Sequence, residues 1–309
     1  TPVARSMEFA LIQLLNAVQY GLLLFLVASG LTLIFGIMGI INLAHGSFYM
    51  IGAYMAFSLS SMTGSLAVAM VLGIVLSVVL GLFLEWALFS HLYKRDHLEQ
   101  VLLTYGLILI FEELRSLVVG NDVHGVAVPG WLAGSLPLGD LMQYPWYRLF
   151  ASGACIVLAA ALYLVVNHTR LGMMIRAGAS DRDMVRGLGI DIRRLYRVVF
   201  AAGVALAALA GMIAAPISSV YPNMGASVLI ICFVVVVIGG IVAAHVLGLE
   251  AHGVDLLGEV PQGLPAIGLP AVGWNDVDQL LALALACFLL GAVETAAIGR
   301  LFAAKHGLR

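Results

Sequence analysis

Charge is scarce in this chain. Only 10% of the 309 residues are Asp, Glu, Lys or Arg, and no Lys or Arg stands between Arg197 and Arg300. Soluble domains carry about a quarter charged residues, so an ordinary water-facing surface is excluded. Cysteine is also sparse. Cys155, Cys232 and Cys287 all lie in apolar runs without a C-x-x-C pair, which favours buried inert thiols over a disulfide framework or a metal site. Catalytic signatures are missing as well. There is no Walker motif, no H-x-x-x-H pair with a Glu among the eight His, and no G-x-S-x-G; an ATPase, a zinc protease and an esterase are thereby disfavoured. No enzyme activity, cofactor or metal is expected. The chain begins at Thr1 without an initiator Met and shows no signal peptide, as a fragment or trimmed chain does.

What remains is apolar. Hydrophobic residues make up 62% of the chain, and the mean hydropathy is +1.06. Apolar spans fall at about 9–36, 46–60, 66–92, 98–119, 146–166, 198–217, 226–248 and 277–299. Most reach the roughly 20 residues that cross the hydrocarbon core. The fold expected is an all-α polytopic transmembrane helical bundle of about eight membrane segments. The second span is too short to cross unaided, and reads as a half-buried or re-entrant helix packed in the bundle. Gly203, Ala207 and Gly211 form a small-residue stripe at four-residue spacing, suited to close helix packing.

The stretch 31–54, LTLIFGIMGIINLAHGSFYMIGAY, organises the rest. Its hydrophobic run is broken by Gly36, Gly39 and Gly46 and by Asn42 and His45. Unpaired backbone and polar side chains at membrane depth persist only when buried in protein or lining a cavity, and interrupted helices often build transporter sites. Two readings stay open for Asn42 and His45: they line a solute path, or they cap a broken helix end and bond neighbouring backbone. Ser47 and, on the fourth span, Thr104 join them as candidates for the path. The three glycines are read as structural, permitting the turn and tight packing.

The polar connections orient the chain. Residues 120–145 are rich in Gly and Pro, hold Asp but no Lys or Arg, and read as an outer loop with Trp131, Trp146 and Tyr147 near the headgroups. Residues 167–197 carry Arg170, Arg176, Arg182, Arg186, Arg193, Arg194 and Arg197, which the positive-inside preference places in the cytoplasm. This Arg cluster is a membrane flank, and nucleic acid is not an expected partner. Arg176 to Leu188 can form an amphipathic helix with Met173, Ile175, Met184, Val185 and Leu188 as apolar anchors. It reads either as a helix lying on the membrane or as a docking element for a cytoplasmic partner. Glu112 and Glu113 read as solvated carboxylates near the outer end of their helix.

At these residues the chain resembles a known family. The run 31–54 is similar to the signature of the permease subunits of branched-chain amino-acid ABC transporters, and LLTYGLILIFEEL at 102–114 resembles that family's fourth segment. TRLGMMIRAGASDRDMVRGLGI at 169–190 resembles its cytoplasmic coupling region, and SSVYPNMG with FVVVVIGGI at 218–241 its later signature. The resemblance covers 9–241. It implies a permease domain over residues 1–241 that imports a branched-chain or related amino acid by alternating access in a bacterial inner membrane. The implied partners are a second permease subunit, two ATP-binding cassette ATPase subunits and an external solute-binding protein. The coupling residues implied are Arg176, Asp183, Arg186 and Gly189, with Met184 and Val185 larger than the family's usual alanines.

Residues 242–309 resemble instead an internal piece of the sulfate permease (SulP) anion transporters, through HGVDLLGEVPQGLP at 252–265 and the helix from about Asp278. The half-helix completing an anion site in that family is missing. Counting crossings puts the acidic loop around Glu250, Asp255 and Glu259 inside and the basic end with Arg300, Lys305 and Arg309 outside, against the positive-inside preference. A re-entrant element at 212–230, where Pro216 and Pro222 break the helix, removes the conflict; otherwise the tail is a fusion or chimeric join. Glu294 resembles an acidic position that takes part in proton coupling in those transporters. The alternative function is accordingly a truncated secondary sulfate or anion transporter.

Overall fold

A computed structural model describes residues 2–93, 95–137 and 143–246. The chain divides into two units, Thr1–His252 and Gly253–Arg309; the eighth span, the acidic loop and Glu294 lie outside the described residues. Among those described, nine α-helices follow in order: α1 Pro2–Met38, α2 His45–Thr63, α3 Leu66–Ala87, α4 His97–Val119, α5 Trp146–His168, α6 Arg170–Ser180, α7 Arg182–Gly187, α8 Ile192–Ser218 and α9 Met224–Val246. Five of them hold stretches long and apolar enough to cross a membrane: Phe9–Met38, Leu66–His91, Trp146–His168, Ile192–Ser218 and Met224–Ala243. This is an all-α polytopic membrane protein.

The helix ends follow from local chemistry. Helix α1 stops where Gly39 turns left-handed (φ 64°) and its N–H donates to the Phe35 carbonyl at 2.8 Å, a conformation that costs other residues about 1–2 kcal/mol. Gly64 ends α2 in the same way, at φ 69°. Thr169 caps α6 by accepting from the Gly172 N–H at 3.1 Å, and Asp191 caps α8 by accepting from Arg193 and Arg194.

Helix α8 is the spine, with α1, α2 and α3 packed around it. A Cβ on Gly203 would meet Ile34 Cδ1 at 2.6 Å and the Gly30 carbonyl at 2.9 Å, while one on Gly211 would strike the Tyr49 carbonyl. The small-residue stripe of α8 thus lets two helices reach backbone contact, where dispersion and lipid exclusion rather than hydrophobicity hold a membrane bundle together. Pro216 does not interrupt α8, which runs on to Ser218. It sits in the last turn, where few intrahelical donors are lost. The break comes at 219–223, with Ser219 and Asn223 at positive φ.

The loop at 120–145 has more structure than expected. Ser135–Pro137 (β1) and Gln143–Pro145 (β2) pair antiparallel, and His124 exchanges two 2.8 Å backbone hydrogen bonds with Val220. Trp131 and Trp146 are exposed, but Tyr147 is buried. Its hydroxyl donates to the Ile213 carbonyl at 3.0 Å, one residue from the carbonyl that Pro216 leaves without its helical N–H.

Candidate functional site: a broken helix and its basic end

The broken stretch folds back into the bundle. His45 opens α2, and its Nε2 donates to the carbonyl of Val27 at 3.0 Å, 18 residues back along the chain. Val27 lies 11 residues before the end of α1, so residues 39–44 return alongside α1 by about 16 Å. Helix α2 therefore begins in the interior, beside the middle of α1, and every residue from Ala44 to Met50 is buried. The short second segment is enclosed by protein on its first half, as irregular backbone at membrane depth requires.

Its polar side chains are only part satisfied. Asn42, fully buried, accepts the Ala44 N–H on Oδ1 at 3.0 Å, but its Nδ2 has no partner among the described residues. A carbonyl can only accept, so the His45 proton sits on Nε2 and leaves Nδ1 a bare acceptor, likewise unpartnered there. Asn42 thus closes the turn before α2 and His45 braces it against α1, while each keeps one unused polar atom. Ser47 is buried two residues further on. Thr104, buried on α4, spends its hydroxyl on the Val101 carbonyl of its own helix at 3.1 Å.

Two stretches distant in sequence meet here. The starts of α2 and α9 lie backbone to backbone: a Cβ on Gly225 would meet the Gly46 carbonyl at 2.5 Å, and one on Gly46 would meet Leu229 Cβ at 2.8 Å. Two helix N-termini, each carrying the partial positive charge of its helix dipole, converge inside the bundle. Beside them Gln19, Tyr20, Val27, Tyr49, Ile217 and Val228 line a cavity of about 70 Å³. Gln19 is buried and its Nε2 lacks a partner among the described residues. Gln19 does not stand out in sequence, because Gln13 and Asn16 lie in the same apolar run. Gly36 stands apart: it lies inside α1, where a Cβ would meet open space.

The basic element forms two helices instead of one. Asp181 is extended between α6 and α7, and its Oδ1 accepts the Met184 N–H at 2.9 Å; this Asx cap starts α7 afresh. Ile175 and Val185 are buried inward, while Met173, Met184 and Leu188 face outward. Arg176, exposed, donates to the Val166 carbonyl at the end of α5. Arg186 is exposed on α7, and Asp183 lies within that helix. Gly189, at φ 81°, closes α7 with its N–H on the Arg186 carbonyl at 3.1 Å. The element touches the broken stretch directly, for a Cβ on Gly39 would meet the Arg182 guanidinium at 2.6 Å.

An interrupted helix buried among crossing helices, joined at one end to a basic amphipathic element, defines the class as a membrane transport permease. The chain belongs to the family described as branched-chain amino acid transport system / permease component, whose profile it matches over residues 13–290. The permease BraD of Pseudomonas aeruginosa is 28% identical over 281 residues, covering 83% of this chain and 90% of BraD. LivH of Escherichia coli K12 is 29% identical over 249 residues, covering 74% and 78%. The ribose import permease RbsC of the same strain is 26% identical over 270 residues, covering 81% and 80%. No solved structure matches the chain. The family match runs past Ile241, where the resemblance by motif ends, and the sulfate-transporter alternative gains no support from these relatives.

Proposed function

We propose that this chain is the membrane permease subunit of an ATP-driven importer of branched-chain or related amino acids in a bacterial inner membrane. The observation that carries this is the family match over 13–290, which takes in both the broken helix and the basic element. A second permease subunit, two ATPase subunits and an external solute-binding protein complete the assembly in this reading; the chain itself has no Walker motif, so ATP is hydrolysed on another chain. The ATPases dock on Arg176, Asp183, Arg186 and Gly189, with exposed Met184 and Leu188 as apolar contacts on that face. Their closure shifts α6 and α7, and the shift reaches Gly39 through Arg182.

The solute path passes the break. Asn42, His45, Ser47 and Thr104 supply polar groups, and the paired helix N-termini favour a carboxylate as charge compensation. The tight Gly46–Gly225 contact describes a closed path, and alternating access requires α2 and α9 to separate there. Residues 242–309 stay a proposed fused or chimeric tail.

Uptake in vesicles tests the proposal. Vesicles carrying the assembled transporter should accumulate labelled leucine with ATP and the binding protein, and not with an ion gradient alone. Gly189→Trp should abolish ATPase association and uptake together. Ion-driven uptake without ATPase subunits, or labelled ribose imported in preference to leucine, would overturn it.

A further inference from the structure

Glu85 is the one acidic side chain on α3, and it is fully buried. Both its oxygens are used. Oε2 accepts Nε of Arg197, from the second turn of α8, at 2.9 Å, and Oε1 accepts the Tyr93 hydroxyl. Tyr93 stacks edge-on against Tyr196 at 4.8 Å. Burial, and then the carboxylate beside it, raise the Tyr93 hydroxyl above its ordinary range, so it stays a donor. The cluster ties α3, the connection after it and the start of α8 into one unit.

Its position matters more than its strength. Arg197 stands six residues after Asp191, the residue that ends the basic element and caps α8 through two backbone N–H groups. On the connection between Glu85 and Tyr93, Phe89 begins a line of aromatic contacts that runs inward. Phe89 lies 4.3 Å from Phe200, Phe200 lies 6.1 Å from Phe48, and Phe48 lies 6.3 Å from His45. Packed interiors transmit displacement because they barely compress. A push on the basic element therefore reaches the broken stretch through α8, provided α3 moves with it. A buried ion pair is a weak source of stability, since well-packed apolar residues usually replace it without loss.

We propose that Glu85, Arg197 and Tyr93 are positioning residues that convert movement of the basic element into movement of α3 and the broken helix, a role that rests on the ATP-driven permease reading above. The pair is asymmetric in exposure: Glu85 is sealed, while the Arg197 side chain is 43% exposed at the basic end. Arg197 can follow the basic element outward while Glu85 reports the displacement to the bundle.

The test uses the whole transporter in vesicles, reading ATP hydrolysis and leucine uptake together. The paired substitution Glu85→Leu with Arg197→Met removes the charges and keeps apolar volume. A merely structural pair predicts unchanged uptake per ATP. A positioning role predicts retained assembly and ATPase association, with uptake per ATP lowered about tenfold. Tyr93→Phe removes one hydroxyl and should lower the same ratio about threefold; it decides the matter should the paired variant not assemble. Wild-type coupling in the paired variant, or in Tyr93→Phe where that variant alone assembles, overturns the proposal. Absence of ATP-driven uptake by the unmodified transporter would instead overturn the functional reading on which it rests.

Discussion

Replacing Gly46 by Ala should open the contact between α2 and α9. The added methyl would lie 2.8 Å from Leu229 Cβ and 2.9 Å from the Gly225 carbonyl carbon, and closer still to the Gly225 oxygen. Carbon atoms pack best at roughly 3.5–4.0 Å, so the two helix starts must part by about 1 Å. Neither neighbour yields easily: one is backbone and the other a Cβ fixed to it. Overpacking of this kind costs about 1–3 kcal/mol, lowering the population of the packed state by roughly 5- to 150-fold. Gly36→Ala is the internal control, because its methyl meets open space and removes a flexible residue from a helix interior, worth about 0.5–1 kcal/mol of added stability. Thermal unfolding of the purified complex, followed by the loss of its monodisperse peak, measures both. Gly46→Ala should lower the midpoint by several degrees, and Gly36→Ala should leave it or raise it. A silent Gly46→Ala beside a destabilising Gly36→Ala would refute the assignment of the tight contact.

Three further outcomes follow from single contacts. Gly39→Ala forces a Cβ into the left-handed region against Arg182, so it should destabilise by about 1–2 kcal/mol and reduce leucine uptake; an unchanged melting midpoint would contradict the turn. Tyr147→Phe deletes the bond to the Ile213 carbonyl and should cost about 1 kcal/mol, seen in the same melting assay, without altering which solute competes for uptake. His45→Leu keeps bulk but loses the donor to Val27 and places an apolar group beside Asn42. Stability should fall by about 1–3 kcal/mol and uptake by more than that loss explains; uptake that tracks stability alone would count against a role in the path.

Much of this was readable from residues alone because membranes penalise irregularity. The apolar spans and the break at Asn42 and His45 stand out in sequence since each polar group at depth needs a reason. The enclosure of the short second segment followed from its length. Other features depend on contacts far apart in the chain. Nothing local in Gly225 says that it abuts Gly46, and Gly36, Gly39 and Gly46 look alike in sequence, although only the latter two meet a turn or a neighbour. The single amphipathic helix expected over Arg176 to Leu188 splits at Asp181, where a carboxylate that caps the next turn outweighs a periodicity that would carry through it. Tyr147 reads as a headgroup aromatic by its place beside Trp146, and only the carbonyl next to the Pro216 gap draws it inward.

Glu85 shows why such misses occur and what they mean. In sequence it is a lone acid at the end of an apolar span beside a basic loop, where a solvated carboxylate is the ordinary expectation. Its partner Arg197 belongs to a run of seven arginines whose collective charge already explains membrane orientation. Orientation needs the number of positive charges and is indifferent to which one is used. Mechanism needs one particular guanidinium at one distance from one carboxylate. The same arginines therefore serve two physical roles that composition cannot separate, and Arg193→Gln should leave coupling intact where Arg197→Gln does not. Equal coupling ratios in those two variants would mean that charge alone matters at this end of α8.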